Sequence, residues 1–367
     1  MTLDDELRHD LASLERDAMR RSLSPLLTTG KYIERGGRRL LNLASNDYLA
    51  LSQHPRLIEA ATAAMQKHGV GAGASRLVSG TLDLHAEVER RFADFKHAEQ
   101  SLLLPTGYMA NLAGFDALVG PGDLVCQDKL NHASLIDAAR SSASAARAAV
   151  RTYAHLTTDK LGRLLAEHRA TSPQHRRFIV TDSVFSMDGD YADLPALCDL
   201  ADAHDAVLVI DEAHATGVLG ASGAGLAEYQ GVGRRVYTSG AGGVVVSTAS
   251  KALGGLGGIV SGSSAVIDSL NDPARPAIYT TAIPPAQAAA IGAALDVLAD
   301  EPERRERLAD FCETAREVLA VAGWALPETT APTPILPLIA GSAEQAVSLA
   351  ARLDRQGLFA VAIRPPT

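Results

Sequence analysis

The stretch AVLVIDEAHATGVLG (206–220) decides the fold. Five apolar residues are followed directly by Asp211, and His214 comes three positions later. An unbroken apolar run of this length predicts a strand that is buried on both faces. A carboxylate at the end of such a strand is costly to desolvate unless it meets a cationic partner. The stretch therefore predicts a buried strand that ends at a ligand or at an ion pair.

Similar apolar runs occur on both sides of this stretch and alternate with helical segments. The predicted strands are SLLL (101–104), DLVC (123–126), RFIV (177–180) and GVVVS (243–247). The predicted helices cover 131–146, 158–169 and 193–204. Alternation of this kind is typical of the α/β class, with a mainly parallel sheet that helices cover on both faces.

Two further segments flank this predicted large domain, which we assign to residues 41–284. Residues 1–40 predict an N-terminal helical segment, an amphipathic helix followed by a loop, because Leu7, Leu11 and Leu14 recur at helical spacing. Packing or a dimer contact would explain that helix. Residues 285–367 predict a small α+β C-terminal domain that begins with a long helix and ends with the strand LFAVAI (358–363). The chain stops just after that strand, so we expect a C-terminal tail to be missing.

Composition narrows the class of function. The 367 residues are 47% hydrophobic and carry a formal net charge of −9, so nucleic acid is not an expected partner. No apolar run approaches the roughly 20 residues of a membrane span, and the acidic start does not resemble a secretory signal. The three cysteines lie far apart and form no metal or disulfide pattern. We expect a cytoplasmic enzyme without a structural metal.

Two other predicted strand ends carry residues that suit a phosphorylated ring. Thr106, Gly107 and Tyr108 form a turn between a strand and a helix, where free backbone N–H groups favour a phosphate. An ordinary strand–helix turn is the alternative. His132 lies near the start of the next helix and could stack on a flat ligand, although a surface or capping histidine would look the same.

Lys251 follows the predicted strand GVVVS and lies among small residues. A lysine in a tight apolar setting can have its pKa lowered and form a Schiff base. Thr248 could bond a phosphate oxygen. An exposed loop lysine is the alternative.

Asp211 and His214 also allow other interpretations. Asp211 could hold magnesium as a Walker-type aspartate, but no GxxxxGK[ST] motif is present. The two residues could share a metal, but no third ligand is evident. The order of the four features favours a single ring cofactor: a phosphate turn, a stacking histidine, Asp-x-x-His, and then a lysine forty residues after the aspartate. We predict pyridoxal 5'-phosphate (PLP), whose protonated ring nitrogen would pair with Asp211.

At these residues the chain resembles the α-oxoamine synthases, PLP enzymes of the aminotransferase fold type I. The resemblance runs from about residue 40 to the end of the chain. The matching motifs occur in one order: SNDYLAL (45–51), GASRLVSGT (73–81), TGY (106–108), NHASLIDAARSS (131–142), FSMDGD (185–190), DEAHATGVLG (211–220), TASKALGG (248–255), YTTAIPP (279–285) and IRPPT (363–367).

The resemblance implies a seven-stranded, mainly parallel sheet and an acyltransferase that joins an amino acid to an acyl thioester with loss of CO2. The motifs favour L-alanine and a pimeloyl thioester, either pimeloyl-CoA or a pimeloyl-carrier protein, in biotin biosynthesis. Glycine with acetyl-CoA, or the substrates of another member, is the alternative. A catalytically silent, PLP-free partner subunit is a third interpretation. The resemblance also implies a homodimer with shared active sites.

The resemblance further implies roles for individual residues. Lys251, His132, Asp211 and His214 would be catalytic. The cofactor would be bound by Thr106, Gly107, Tyr108, His132, Ser186, Asp211, His214, Thr248 and Lys251, and by Thr280 or Thr281 from the neighbouring subunit. Asn46 would meet the carboxylate of the amino-acid substrate, and Arg21 would also bind substrate. Members of the family bind that carboxylate with an arginine in a tail beyond the RPPT motif, so Arg364 is not assigned this role. If the tail is absent, we expect weak amino-acid binding.

Overall fold

The computed structural model describes residues 2–327, 329 and 331–365. The chain divides into two compact units. The larger contains 47–318 and 327–336, and the smaller contains 1–46, 319–326 and 337–367. The domain boundaries expected at residues 40 and 284 stay a prediction. Pro366 and Thr367 of the closing motif lie outside the described residues.

The strands in chain order are β1 Leu27–Thr29, β2 Tyr32–Arg35, β3 Arg38–Asn42, β4 Gln100–Leu104, β5 Leu124–Asp128, β6 Ala149–Tyr153, β7 Arg177–Asp182, β8 Val207–Asp211, β9 Gly243–Thr248, β10 Gly258–Gly262 and β11 Leu358–Phe359. The helices are α1 Leu3–Arg16, α2 Pro55–His68, α3 Asp83–Lys96, α4 Gly107–Leu118, α5 Ala133–Ala146, α6 Thr158–Thr171, α7 Leu194–His204, α8 Leu226–Tyr229, α9 Arg235–Thr238, α10 Ser264–Ser269, α11 Arg275–Ile278, α12 Pro285–Asp300, α13 Glu303–Val321 and α14 Ala343–Arg355. Arg76–Gly80 forms a π-helical turn.

The larger unit contains a seven-stranded sheet in the order β4-β10-β9-β8-β7-β5-β6. The pairs from β9 to β6 are parallel, and β10 is antiparallel to both of its neighbours. The mainly parallel sheet is confirmed, as are the five predicted strands and the three helices between them. The sequence reading missed β6 and β10. β6 is a half-exposed edge strand with the polar sequence AVRTY, and β10 begins and ends with glycine, so neither has a long apolar run.

The long helix expected from residue 285 is two helices, α12 and α13. Pro302 lies between them. Proline disfavours helical backbone at the preceding residue and lacks the N–H that would continue the ladder, so the chain breaks at this point. Helix α12 packs against α2 and α3 and contributes nine buried residues to the core of this unit.

The smaller unit corrects two expectations. The loop predicted after α1 contains β1, β2 and β3, an antiparallel meander. Gly36 and Gly37 form the two-residue turn between β2 and β3, both with positive φ (58° and 75°), which is a strong hairpin signal that we overlooked. The strand predicted at 358–363 is only β11, and it pairs in parallel with β3.

Within the described residues, no helix combines the length and apolar character that a membrane crossing requires.

Candidate active site

The candidate site lies at the carboxyl edge of the seven-stranded sheet, where the strand register collects polar residues. Asp182 at the end of β7 is the register partner of Asp211 at the end of β8. Gly258, at the start of β10, pairs with Thr248 of β9 on one side and with Leu104 of β4 on the other. Ligands of open α/β sheets bind at this edge. The topology therefore brings the predicted phosphate turn to the same edge as Asp211.

Asp211 is buried, and a neutral donor holds each of its carboxylate oxygens. Asn111 Nδ2 donates to Oδ2 at 2.7 Å, and the backbone N–H of Ala213 donates to Oδ1 at 2.8 Å. In the described part of the chain no salt bridge joins Asp211 to a cation. Nor do three His, Cys, Asp or Glu side chains come together there as metal ligands would. A protonated ring nitrogen would supply the missing positive charge.

Asp182 is a second buried carboxyl group beside Asp211. Burial and the charge of Asp211 hold its pKa well above the usual range, against the lowering effects of the His132 amide and of Lys251. Asp182 Oδ2 accepts the backbone N–H of His132 at 2.6 Å. The carboxyl group thus fixes the chain at the start of α5.

His132 caps helix α5. Its Nδ1 accepts the backbone N–H of Ser134 at 3.2 Å and lies 2.7 Å from Ser134 Oγ. Burial lowers the pKa of His132, with Asp211 opposing that effect and Lys251 adding to it. A neutral imidazole at the helix start is compatible with the predicted stacking on a ring.

His214 is buried and bonded to Tyr48. The Tyr48 hydroxyl lies 2.7 Å from His214 Nδ1, and the rings are tilted by 47°. Burial, Lys251 and His132 all lower the pKa of His214 to well below its usual value, so the ring is neutral. If Tyr48 donates to Nδ1, the proton of the neutral ring is on Nε2, where it can be donated to a ligand oxygen.

Lys251 lies in the turn after β9. Burial lowers the pKa of its ammonium group, and the charges of Asp211 and Asp182 partly offset that effect. Both carboxylates act through space, because no hydrogen bond or ion pair joins them to Lys251 in the described part of the chain. A buried amine with a lowered pKa is suited to nucleophilic attack on a carbonyl.

The phosphate end of the site is formed by the turn before α4. The Thr106 hydroxyl caps helix α4 by accepting the N–H of Met109 at 3.2 Å. Gly107 passes so close to Thr248 that an added Cβ would lie 3.3 Å from Thr248 Cβ. At Gly258 an added Cβ would lie 2.2 Å from the Thr106 carbonyl oxygen, which only glycine avoids. Tyr108 is partly exposed and donates its hydroxyl to Asp137.

Ser186 is half-buried in the loop FSMDGD, which is anchored at two points. Thr333 Oγ1 donates to the carbonyl of Gly189 at 2.5 Å. His155 bridges Asp128 and Asp190, at 2.9 Å from each. Burial acts to lower the pKa of His155, but these two carboxylates raise it overall to about 9. Protonated His155 and the carboxylates of Asp128 and Asp190 therefore form a charged clamp that fixes the loop.

The two threonines predicted to reach a neighbouring subunit differ in what they contact. The hydroxyl of Thr280 donates to the carbonyl of Pro276 at 2.5 Å. Thr281 is exposed, and its backbone forms a bridge with Ser75. The hydroxyl proton of Thr280 is already donated within the chain. Thr281 is therefore the better candidate of the two for a hydrogen bond to a phosphate.

The predicted substrate-binding residues Asn46 and Arg21 belong to the smaller unit. Arg21 Nη2 donates to the carbonyl oxygens of Arg364 and Pro365, both at 2.7 Å, and so holds the end of the chain. The substrate roles of Asn46 and Arg21 stay predictions.

Four residues at this edge escaped the sequence reading: Asn111, Ser134, Tyr48 and Asp182. Two carried a usable signal. Asn111 follows Gly107 by four residues and so shares its helix face. Asp182 lies two residues after the predicted strand 177–180, close to the position that Asp211 has after its own strand. Together with the predicted residues they fit PLP: a carboxylate that no cation among the described residues neutralises, a backbone cradle at Gly107, neutral imidazoles and a half-buried lysine with a lowered pKa.

Comparisons with known proteins identify the family of the chain. Residues 38–367 match the family model "Aminotransferase class I and II". The chain is 43% identical to an 8-amino-7-oxononanoate synthase of Anaeromyxobacter dehalogenans over 99% of its own length and 87% of that protein. It is also 43% identical to the enzyme of that name from Geobacter sulfurreducens, over 98% of its length and 88% of that protein.

Solved structures give a similar result. A variant of the serine palmitoyltransferase from S. paucimobilis with a bound PLP–myriocin aldimine superposes with a TM-score of 0.89 at 27% identity, covering 99% of this chain and 88% of that one. The 8-amino-7-oxononanoate synthase of Francisella tularensis gives a TM-score of 0.75 at 28% identity, with 89% of each chain covered. The expected aminotransferase fold is confirmed.

Proposed function

We propose that this chain, which belongs to the class I and II aminotransferase family, condenses L-alanine with a pimeloyl thioester. The products are 8-amino-7-oxononanoate, CO2 and the free thiol. The observation that carries the proposal is the 43% identity, over 98–99% of this chain, to two 8-amino-7-oxononanoate synthases. The resemblance of the nine motifs had implied the same reaction. The proposal makes the chain a transferase of biotin biosynthesis, and we place it in the cytoplasm.

PLP is the cofactor, and when bound it supplies an electron sink for the charge left on the α-carbon of the amino acid. Lys251 would hold the cofactor and would then serve as the base that moves the α-proton. The lowered pKa of Lys251 keeps a larger share of the amine uncharged near neutral pH, as a base requires.

Other residues of the edge would position the ring and set its charge. Asp211 would keep a proton on the ring nitrogen, because its buried carboxylate has no other cationic partner among the described residues. His132 would lie against the face of the ring, and His214 and Ser186 would donate to its hydroxyl oxygen. Gly107, Tyr108 and Thr248 would hold the phosphate once the hydroxyls of Tyr108 and Thr248 turn away from Asp137 and from the Gly257 carbonyl.

We also propose that two copies of the chain share each active site. Thr281 is the residue that crosses to the phosphate of the neighbouring copy, because it is exposed while the Thr280 hydroxyl is bonded to Pro276. A Thr281→Ala variant should bind PLP more weakly than Thr280→Ala in a cofactor titration. Equal losses in the two variants would contradict this assignment.

A thiol-release assay tests the reaction. Alanine with pimeloyl-CoA, alanine with the pimeloyl-carrier protein, and glycine with acetyl-CoA are compared at equal concentrations. We expect thiol release and an equal amount of CO2 with alanine and a pimeloyl donor. Release only with glycine and acetyl-CoA would assign the chain to a sister reaction and contradict the proposal.

Lys251→Ala separates an enzyme from a silent subunit. We expect the long-wavelength absorbance of covalently held cofactor to disappear and thiol release to fall by about a thousandfold or more. Lys160→Ala is the matched control, since that lysine is exposed and its Nζ donates to the Thr152 carbonyl. Wild-type protein that neither binds PLP nor releases thiol would favour the silent-subunit interpretation.

A further inference from the structure

We propose that Asn111 and Ser134 are positioning residues that join Asp211 to His132 and fix the His132 ring as its Nε2–H tautomer. The inference rests on the proposed function, because it concerns how the two groups that would lie on the ring nitrogen and on the ring face are held. It assigns Asn111 and Ser134 a role that neither sequence nor resemblance had given them.

The first step is the orientation of Asn111. Its Nδ2 lies 2.7 Å from Asp211 Oδ2 and 2.9 Å from Ser134 Oγ. A carboxylate is only an acceptor, so the amide must turn its NH2 group, and not its oxygen, toward Asp211. The two protons of one NH2 group are then divided between Asp211 and Ser134. Asn111 is buried, and its Oδ1 has no hydrogen-bond partner among the described residues, so the side chain is held by these two donated bonds.

The second step is the direction of the Ser134 hydroxyl. Ser134 Oγ accepts a proton from Asn111, which leaves its own O–H free to donate. The nearest acceptor is His132 Nδ1, at 2.7 Å. The backbone N–H of Ser134 also points at Nδ1, but at the longer distance of 3.2 Å, so it favours the same tautomer more weakly than the hydroxyl does. Nδ1 is therefore an acceptor without a proton.

The third step is the consequence for His132. With Nδ1 unprotonated, the neutral ring carries its proton on Nε2. The lowered pKa of His132, which keeps the ring neutral near pH 7, agrees with this assignment. Asp182 fixes the backbone of the same residue through its N–H. His132 thus presents Nε2–H as its single ring donor, in an orientation set from two sides.

A simple helix cap would not need this arrangement. Capping α5 requires only the bond from the Ser134 N–H to His132 Nδ1. The Ser134 hydroxyl and the Asn111 amide add a connection to Asp211 at the end of β8. This connection does not improve the cap. This difference makes the proposal testable, since a cap would survive the loss of either side chain.

The test reads the tautomer directly. The full chain, with and without PLP, is prepared with isotope-labelled histidine, and the ring-nitrogen shifts are measured by NMR. The His132 signal is identified by its absence in His132→Gln. We expect the Nε2–H pattern in the wild type and a mixture of tautomers in Ser134→Ala and Asn111→Ala. Ser142→Ala is the matched control, because it removes another buried hydroxyl of α5, bonded to Asp116 instead.

A second readout uses the loaded enzyme. Ser134→Ala should lower kcat about tenfold with little change in KM, while Ser142→Ala stays near wild type. A wild-type Nδ1–H pattern, or a Ser134→Ala pattern identical to the wild type, would overturn the proposal. The NMR result does not depend on any substrate. A chain that fails to condense alanine can therefore still show the predicted His132 tautomer and its dependence on Ser134, and an active synthase can still lack them.

Discussion

Two lysines of the larger unit, Lys251 and Lys96, are held in opposite ways. Lys96 is buried, and its Nζ lies 2.5 Å from Glu212 Oε2 and donates to Thr216 Oγ1 at 2.9 Å and to the carbonyl of Ala224. Lys251 is half-buried, and the charges of two carboxylates that act through space offset its desolvation only in part, so its pKa falls. Among the described residues, one ammonium group therefore has its hydrogen bonds complete and the other does not.

The neighbouring residues Asp211 and Glu212 show the same difference. Glu212 takes Lys96 on Oε2 and the N–H of Ala227 on Oε1, so its charge is neutralised within the core. Within the part of the chain that the structure describes, the hydrogen bonds that Asp211 accepts come from neutral donors. Polar groups that serve the fold are paired completely, whereas those that serve the reaction are held in place with charge left for a ligand to balance.

Lys96→Met should be the most destabilising change, and it tests the lysine that is paired with Glu212 in the core. It leaves Glu212 as a buried carboxylate without a cation, and removing one partner of a buried pair costs about 3–5 kcal/mol. Denaturant unfolding of the protein without cofactor measures the loss.

Lys251→Met is the matched control for that measurement. It replaces an ammonium group whose burial is poorly compensated, so we expect the cofactor-free protein to be stabilised by about 1 kcal/mol while activity is abolished. If Lys251→Met destabilised as much as Lys96→Met, the distinction between the two lysines would be wrong.

His155 and His214 extend the comparison to histidines, with opposite dependence on pH. The two carboxylates beside His155 raise its pKa from 6.5 to about 9, so its stabilisation is complete below about pH 6.5 and is lost as pH rises through 9. We expect His155→Gln to lower the free energy of unfolding by about 2 kcal/mol near neutral pH, and by little above pH 9.

His214 should behave in the reverse sense. Its pKa is lowered by burial and by Lys251, so the unfolded chain binds the extra proton and stability falls as pH drops below 6.5. Unfolding curves of His155→Gln and His214→Gln across this range measure both effects. A His155→Gln penalty that persisted unchanged at high pH would show that the clamp is not charged.

The sequence predicted the features of the site that follow a strand along the chain. The apolar runs before Asp211 and Lys251 placed both residues at one edge, and the order of motifs gave the cofactor. Asn111 and Tyr48 were missed because their roles depend on which helix face and which loop the fold brings to that edge. Their types and positions alone would suit a surface equally well. The strands β1–β3 were missed because the segment after the first helix was interpreted as a loop, although Gly36-Gly37 is a hairpin signal.

The smallest expected effect concerns Tyr48, which contacts His214 in the candidate site. Tyr48→Phe leaves His214 Nδ1 without its 2.7 Å partner, so the ring no longer has one preferred proton position. A lost hydrogen bond of this kind is worth about 1 kcal/mol, or about fivefold in kcat/KM. Tyr153→Phe removes a buried hydroxyl that lies 3.4 Å from the Val180 carbonyl and should leave activity unchanged. Because Tyr48 orients a donor for the ligand and not a pair within the core, the loss should appear in activity and in the pH dependence of cofactor absorbance more than in the free energy of unfolding.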